Sequence, residues 1–194
     1  MEAVSAKAWL LLALAALAGT VQAAPAGDLL AHGARDGHAP AWAIAVDTPL
    51  GWVRDCCTYA RAIGVDAVLY QGEWSGKPQR VMVLNVWPRK LASLAAEVQA
   101  DRRRYLQHDP AAKVGSFAVH HPGMPCEANV YQGSDHVDDV VVFCDPGPAS
   151  GVRFSWSMAL DNADPTHRAL LDAFMRVVVG SRYRRYQEPP PHAG

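Results

Sequence analysis

The 194-residue sequence lacks the short motifs by which common enzyme classes are recognised. It has no Gly-x-Ser-x-Gly elbow, no His-Glu-x-x-His, no phosphate-binding P-loop and no Gly-x-Gly-x-x-Gly after a strand. Ser155 and Ser157 alternate with large residues, which is the pattern of a sheet with one buried face. We therefore expect no catalytic residues, although residues distant in sequence can converge into an active site. Carboxylates without a recognisable pair spacing are Glu73, Asp101, Asp161 and Asp172.

An excess of basic residues is also absent. Lysine and arginine number 18 against 19 aspartate and glutamate residues, so the formal net charge is −1. A nucleic-acid-binding domain normally carries a basic face. The arginine clusters at 102–104 and 182–185 lie where helices are expected to expose or end them. The sequence therefore predicts solvent-exposed helix surface at both clusters and no nucleic-acid partner.

A long hydrophobic run occurs once, at the N-terminus. Lys7 precedes the apolar stretch 8–17, which is too short to span a bilayer, and the triplet ending at Ala23 fits the small-residue rule for cleavage. Residues 1–23 are therefore expected to form a signal peptide, and the mature chain is expected to begin near Ala24. We expect this mature form to be secreted or periplasmic, without a membrane span.

The four cysteines include no Cys-x-x-Cys motif, so a thioredoxin-type oxidoreductase is not supported. In an exported chain they indicate disulfide bonds. If residues 134–136 form a hairpin loop, paired residues have numbers that sum to 270, which places Cys126 opposite Cys144 on an apolar face. The sequence predicts a structural disulfide between these two residues.

Cys56 and Cys57 are adjacent and allow several interpretations. Neighbouring side chains point to opposite sides of an extended segment, and a bond between them requires a strained ring. The sequence favours one buried and one partly exposed thiol, or such a strained bridge. A redox-active or metal-binding thiol pair is the alternative.

The spacing of apolar residues predicts a single α+β domain over residues 41–183. Four strand-like segments precede an amphipathic helix over 89–107. Four more precede a final helix capped by Asp164 and ended near Gly180, which gives the order ββββα-ββββα. Because short turns join successive strands, we expect an antiparallel sheet covered by the two helices.

The two ends of the mature chain carry weaker patterns. Residues 24–40 are rich in alanine, glycine and polar residues without sustained periodicity, and we expect a flexible lead-in there. Residues 184–194 contain three consecutive prolines, which remove backbone donors and fix φ. They are expected to form a disordered tail.

Two segments carry a resemblance to a known family. Residues 45–52 run as a short strand, a proline, a turn and a tryptophan, and Asn85-Val86-Trp87-Pro88 stands directly before the first main helix. Together with the order of elements, they make residues 41–181 similar to the PsbP-like superfamily of α/β/α sandwich domains, and more loosely to the DcrB-type exported bacterial proteins. The resemblance implies a non-catalytic binding or accessory subunit and names no partner.

The histidines do not predict a shared metal site. His120 and His121 precede the strand expected over 125–133 and His136 follows it, so roughly 30 Å separate the two groups. Either of the first two, with the two hairpin cysteines, would supply zinc ligands, but the spacing matches no common finger. We therefore expect no metal and no cofactor.

Trp74 lies in a loop, 70–77, with two glycines and no apolar neighbours. An exposed aromatic residue there would suit a binding loop. Packing of the ring against the loop is the competing interpretation and the favoured one.

These patterns favour an exported, non-enzymatic binding or accessory protein of the cell envelope. Its partner is expected to be an unidentified envelope protein or a small ligand. The alternative is a small secreted hydrolase or metal-dependent enzyme whose site is assembled from dispersed residues. A redox or metal-handling protein that uses Cys56 and Cys57 is a third hypothesis.

Overall fold

The computed structural model describes residues 28–34, 40–74 and 80–186. The expected signal peptide, 1–23, lies outside the described residues. Within the described ranges the strands are β1 (Asp28–Gly33), β2 (Trp42–Val46), β3 (Val53–Asp55), β4 (Ala67–Gln71), β5 (Arg80–Pro88), β6 (Lys113–Val119), β7 (Cys126–Gln132), β8 (Val137–Cys144), β9 (Val152–Asp161) and β10 (Arg182–Arg185). The helices there are α1 (Tyr59–Ala62), α2 (Leu94–His108) and α3 (His167–Gly180), with a 3-10 turn at Pro148–Ser150.

Seven strands form one antiparallel sheet in the order β3-β4-β5-β9-β8-β7-β6. In the β7–β8 hairpin, paired residues have numbers that sum to 270, and Cys126 lies directly opposite Cys144. This is the register that the sequence predicts. The α+β class and the antiparallel pairing are therefore confirmed.

One face of this sheet forms the main core. Phe154, Trp156 and Met158 alternate along β9 and are almost fully buried. They pack with Phe174 and other apolar residues of α3, and with the small sheet β1-β2-β10. Removing a large apolar side chain of this kind from water contributes about 1.5–3 kcal/mol. The indole of Trp156 also donates a hydrogen bond to Ser181 Oγ at 2.9 Å, so its one polar group is satisfied.

The opposite face of the sheet carries α2. Ser93 caps this helix, because its Oγ accepts a hydrogen bond from Ala96 N at 3.1 Å. Leu94 and Val98 pack against Phe143 of β8, so the helix lies over β7 and β8. The molecule therefore has three layers: α2, the large sheet, and α3 with the small sheet.

Both main helices begin later than their patterns predict. The first starts at Leu94, not near 89, because Ser93 provides the cap. The second starts at His167, because the Asp164 carboxylate accepts the backbone N–H of Thr166 at 2.7 Å in a turn that precedes the helix.

The chain ends also differ from the expectation. The lead-in expected over 24–40 contains strand β1, in which Leu30 and Ala31 are buried. The first two residues of the tail expected over 184–194 belong to strand β10. Both strands pair with β2. The pairing satisfies their backbone groups, so neither strand needs an alternating pattern of its own.

A disulfide between Cys126 and Cys144 would close a loop of 18 residues. In the chain-entropy model, the double replacement with alanine should lower the free energy of unfolding by about 3 kcal/mol. The matched control is the double alanine variant of Cys56 and Cys57, whose sequence separation is 1 and which therefore should change stability far less. Urea denaturation measures both, and intact mass with and without reductive alkylation counts the bonds. Equal losses in the two variants would contradict this expectation.

Candidate functional site

A groove lies between α2 and the part of the sheet that this helix leaves uncovered. Because α2 covers β7 and β8, and the four-residue α1 lies beside β4, the middle strands β5 and β9 stay open between them. Asn85 and Trp87 of β5, and Ser155 and Ser157 of β9, line the groove with Glu97 of α2. The cavity here has a volume of about 460 Å³. We call it the α2 groove.

A second cavity of about 330 Å³ continues the groove towards the far end of α2. The two cavities share Asp101, Val141 and Ser157 in their walls. Tyr105 and Asp139 line only the second one. The α2 groove thus has a mixed polar and aromatic end and a more acidic end.

Two stacked tyrosines hold the carboxylates of the groove. Tyr131 donates a hydrogen bond from Oη to Asp101 Oδ2 at 2.6 Å and accepts one from Asn129 Nδ2 at 3.0 Å. Tyr105 donates from Oη to Asp139 Oδ2 at 2.8 Å. The two rings are parallel, with centroids 4.1 Å apart. Each carboxylate therefore has a fixed phenol partner.

Burial shifts the ionisation of this cluster. It raises the pKa of Tyr105 and of Tyr131, and the hydrogen bonds that both phenols donate to carboxylates raise these pKa values further. Burial also raises the pKa of Asp139, against the lowering effect of the Tyr105 hydrogen bond. The negative charges of Asp135 and Asp138 add to that increase. Both phenols therefore stay protonated at neutral pH.

Arg153 anchors α2 to the sheet. Its side chain is completely buried. Nε donates to Asp145 Oδ2 at 3.0 Å, and Nη1 donates to Glu97 Oε1 at 3.0 Å and to the Leu91 carbonyl at 2.9 Å. Because Glu97 belongs to the first turn of α2, these contacts fix that turn over the start of β9.

Asp145 shares its charge between two arginines. Arg89 pairs with Oδ1 and Arg153 with Oδ2. Burial alone would raise the pKa of Asp145, but the hydrogen bonds from Arg153 and from the Gly147 backbone, with the two positive charges, hold it below its usual value. The carboxylate therefore stays ionised in the folded protein.

Charge in the first cavity is balanced. Glu97 pairs with the buried Arg153 at 3.0 Å, and Asp101 lies 3.8 Å from Arg104. Each acid that lines this cavity thus faces a base. The remaining polar lining is neutral, namely the amide of Asn85 and the serine hydroxyls.

The cysteines singled out in the sequence lie away from the groove. Cys126 and Cys144 face each other across the β7–β8 hairpin with their sulfurs at disulfide distance, and Cys144 belongs to the core. The sulfurs of Cys56 and Cys57 are also at disulfide distance. Both of these adjacent side chains are exposed, so the interpretation with one buried thiol does not hold.

Trp74 packs within a small aromatic cluster beside α1. Its ring stacks on Tyr59 with centroids 4.7 Å apart and meets the edge of Tyr70 at 5.2 Å. The side chain is half-buried and lines neither cavity of the groove. A binding role for this loop stays a prediction.

His120 and His121 are adjacent, and His136 lies apart from them. His121 lies beside the end of α3, where Nε2 is 3.0 Å from the Ser181 carbonyl oxygen, and His120 is exposed. His136 occupies the β7–β8 turn with φ at 68°. In residues 28–34, 40–74 and 80–186, no three histidine, cysteine or acidic side chains are grouped to hold a metal ion.

The sequence does not predict that these residues form a groove. Arg153, Ser155 and Ser157 alternate along β9, and their side chains lie on the face of the sheet that carries α2. An arginine in a central strand was a signal, since a charge there needs buried partners. Tyr131 and Asp101 are 30 residues apart, and no local pattern connects them.

No protein-family model and no curated protein matches this chain. Among solved structures, the chain is similar to the solution structure of cyanobacterial PsbP (CyanoP) from Synechocystis sp. PCC 6803. Identity is 11%, the similarity covers 79% of this chain and 96% of that chain, and the TM-score is 0.45. A similarity at this level says nothing about the function of this chain.

Replacing Asp145 tests the anchor of α2. Asp145→Asn removes one of the two carboxylates that pair with the buried Arg153 and leaves Glu97 as the other, and breaking a buried pair in this way costs about 3–5 kcal/mol. Urea denaturation at neutral pH measures the loss. Asp172→Asn is the matched control, because its pair with Arg168 is exposed and should contribute nothing measurable.

The same pair predicts a pH dependence. Since the folded pKa of Asp145 lies below the unfolded value of about 3.9, its stabilising effect is present above that pH and is lost as pH falls through the folded pKa. The difference between wild type and Asp145→Asn should therefore shrink in acid. A loss as small as that of Asp172→Asn, or one that grows in acid, would refute the anchor.

Proposed function

We propose that the protein is an exported, non-enzymatic binding or accessory protein of the cell envelope, with the α2 groove as its ligand site. Export is supported by the signal pattern of residues 1–23. Two cysteine pairs at disulfide distance fit an oxidising compartment. Among the described residues, no helix has the length and apolar character needed to cross a membrane.

The observation that carries the proposal is an open cavity with unengaged polar groups on its floor. In the part of the chain that the structure describes, no side-chain hydrogen bond engages the Asn85 amide or the hydroxyls of Ser155 and Ser157. Polar groups of this kind, in a cavity that Trp87 and Phe143 also line, are what orient a ligand in a pocket of about 300–1,000 Å³.

Binding is favoured over catalysis because the reactive groups of the groove are committed to structural partners. Glu97 is held by Arg153, Asp101 by Tyr131 and Asp139 by Tyr105. The residues that line the two cavities include no histidine or cysteine. A serine hydroxyl without an adjacent base is a weak nucleophile.

A hydrolase remains the second candidate, and one observation favours it. Asp101 and Asp139 line the same cavity, and burial raises the pKa of Asp139. Two carboxyl groups in unlike environments are a pattern of acid–base catalysis. An enzyme of this kind would convert its ligand and not retain it.

Filling the groove tests the proposal. The mature wild-type protein and the variant Ser157→Phe are each incubated with an extract of the native envelope and analysed by native mass spectrometry. Ser157 lines both cavities, so the phenylalanine ring would fill the space that they share. We expect wild type to retain a component that Ser157→Phe does not. Ser134→Phe, in the exposed β7–β8 turn, is the control and should bind as wild type.

The mass of the protein isolated from the envelope tests export, and it should be that of a chain that begins at Ala24.

The retention experiment also separates the alternatives. Equal retention by wild type and Ser157→Phe would remove the groove as the site. A component that is consumed by wild type, but not by Asp139→Asn, would favour the hydrolase.

A further inference from the structure

We propose that the ligand of the α2 groove is a neutral, polyhydroxylated molecule, namely a carbohydrate. The inference rests on the proposed function above and names its ligand class. It comes from three features of the first cavity: its balanced charge, its neutral hydrogen-bonding groups and its aromatic end.

Balanced charge argues against ionic ligands. Glu97 and Asp101 face the cavity, so a carboxylate or phosphate placed there would meet two acids. Arg104 lines the same wall, and the buried Arg153 already pairs with Glu97, so an ammonium group would meet one base and two acids that are already engaged. A charged ligand would have to displace one of these ion pairs. A neutral ligand leaves both pairs intact.

The polar lining is suited to hydroxyl groups. A sugar hydroxyl both donates and accepts a hydrogen bond, so it needs partners of both kinds. Asn85 offers an N–H donor and a carbonyl acceptor, and the hydroxyls of Ser155 and Ser157 offer both functions. Arg104 adds donors, and the free acceptor sites of Asp101 add acceptors.

The aromatic end supplies an apolar surface. Trp87 is half-buried and meets Phe143 edge to face, with centroids 6.1 Å apart and an interplanar angle of 78°. Both residues line the cavity beside Asn85 and Ser155. A pyranose ring has apolar C–H faces and polar hydroxyl edges, so it matches an aromatic wall next to a hydrogen-bonding floor.

Titration with defined probes tests this ligand class. Backbone, indole and side-chain amide signals of the isotope-labelled mature protein are followed by NMR with three neutral disaccharides: maltose, cellobiose and N,N′-diacetylchitobiose. Spermidine and citrate are the cationic and anionic counterparts. We expect at least one disaccharide to give saturable shifts at the Trp87 indole and the Asn85 amide, and neither ionic probe to do so.

Two variants locate the binding. Asn85→Ala removes an amide that belongs to no core cluster, so the protein should stay folded. The affinity for the disaccharide should fall by about tenfold. Asn162→Ala makes the same chemical change in an exposed turn and should bind as wild type. Trp87→Leu should weaken binding further, because the flat aromatic surface is lost.

The outcomes are distinct from those of the proposed function. If no disaccharide shifts the groove signals, if an ionic probe binds there instead, or if Asn85→Ala binds as wild type, the carbohydrate assignment is overturned. Retention of an envelope component by wild type but not by Ser157→Phe would then still support a binding protein. Loss of both results would reject the groove as a ligand site.

Discussion

The buried side chain of Arg153 is the contact on which the arrangement of α2, and with it the groove, depends. Strand β9 lies in the middle of the large sheet, and its side chains alternate between the two faces of that sheet. Phe154 and Trp156 enter the core with α3, whereas Arg153 and Ser155 face α2. A buried guanidinium is costly unless it is paired, and Glu97 supplies part of that pairing from the first turn of α2. The need to pair this buried charge therefore fixes the first turn of α2 over the start of β9, while Ser93 caps the helix.

The groove follows from unequal cover of the sheet. The helix α2 continues over β8, where Tyr105 holds Asp139, and the four-residue α1 contacts mainly β4. Between them, β5 and β9 expose Asn85 and Ser157 to the cavity. The carboxylates that line the groove from α2 and β8 are held by phenols or by arginine. The same packing leaves a cavity and determines which of its groups remain free for a ligand.

Much of the architecture could be predicted from local patterns, because period-two alternation and hairpin turns act over short distances. The Cys126–Cys144 register follows from one turn, and the apolar spacing predicts the first main helix with a start about five residues before the observed one. Strands β1 and β10 could not be predicted from their own residues, since each is ordered by pairing with β2, which is the next strand after β1 but lies far from β10 in sequence. The site was harder still. Arg153 and Asp101 gain their roles from partners far away in sequence, which no local spacing reveals.

Hydrogen exchange in Arg153→Met would test the central claim most directly. Methionine fills much of the same space without a charge, so the sheet should stay folded. We predict faster exchange of the backbone amides at 97–101, in the first turns of α2, with the protection of β8, β9 and α3 retained. Unchanged exchange in α2, or an equal loss of protection throughout the protein, would show that Arg153 does not position this helix.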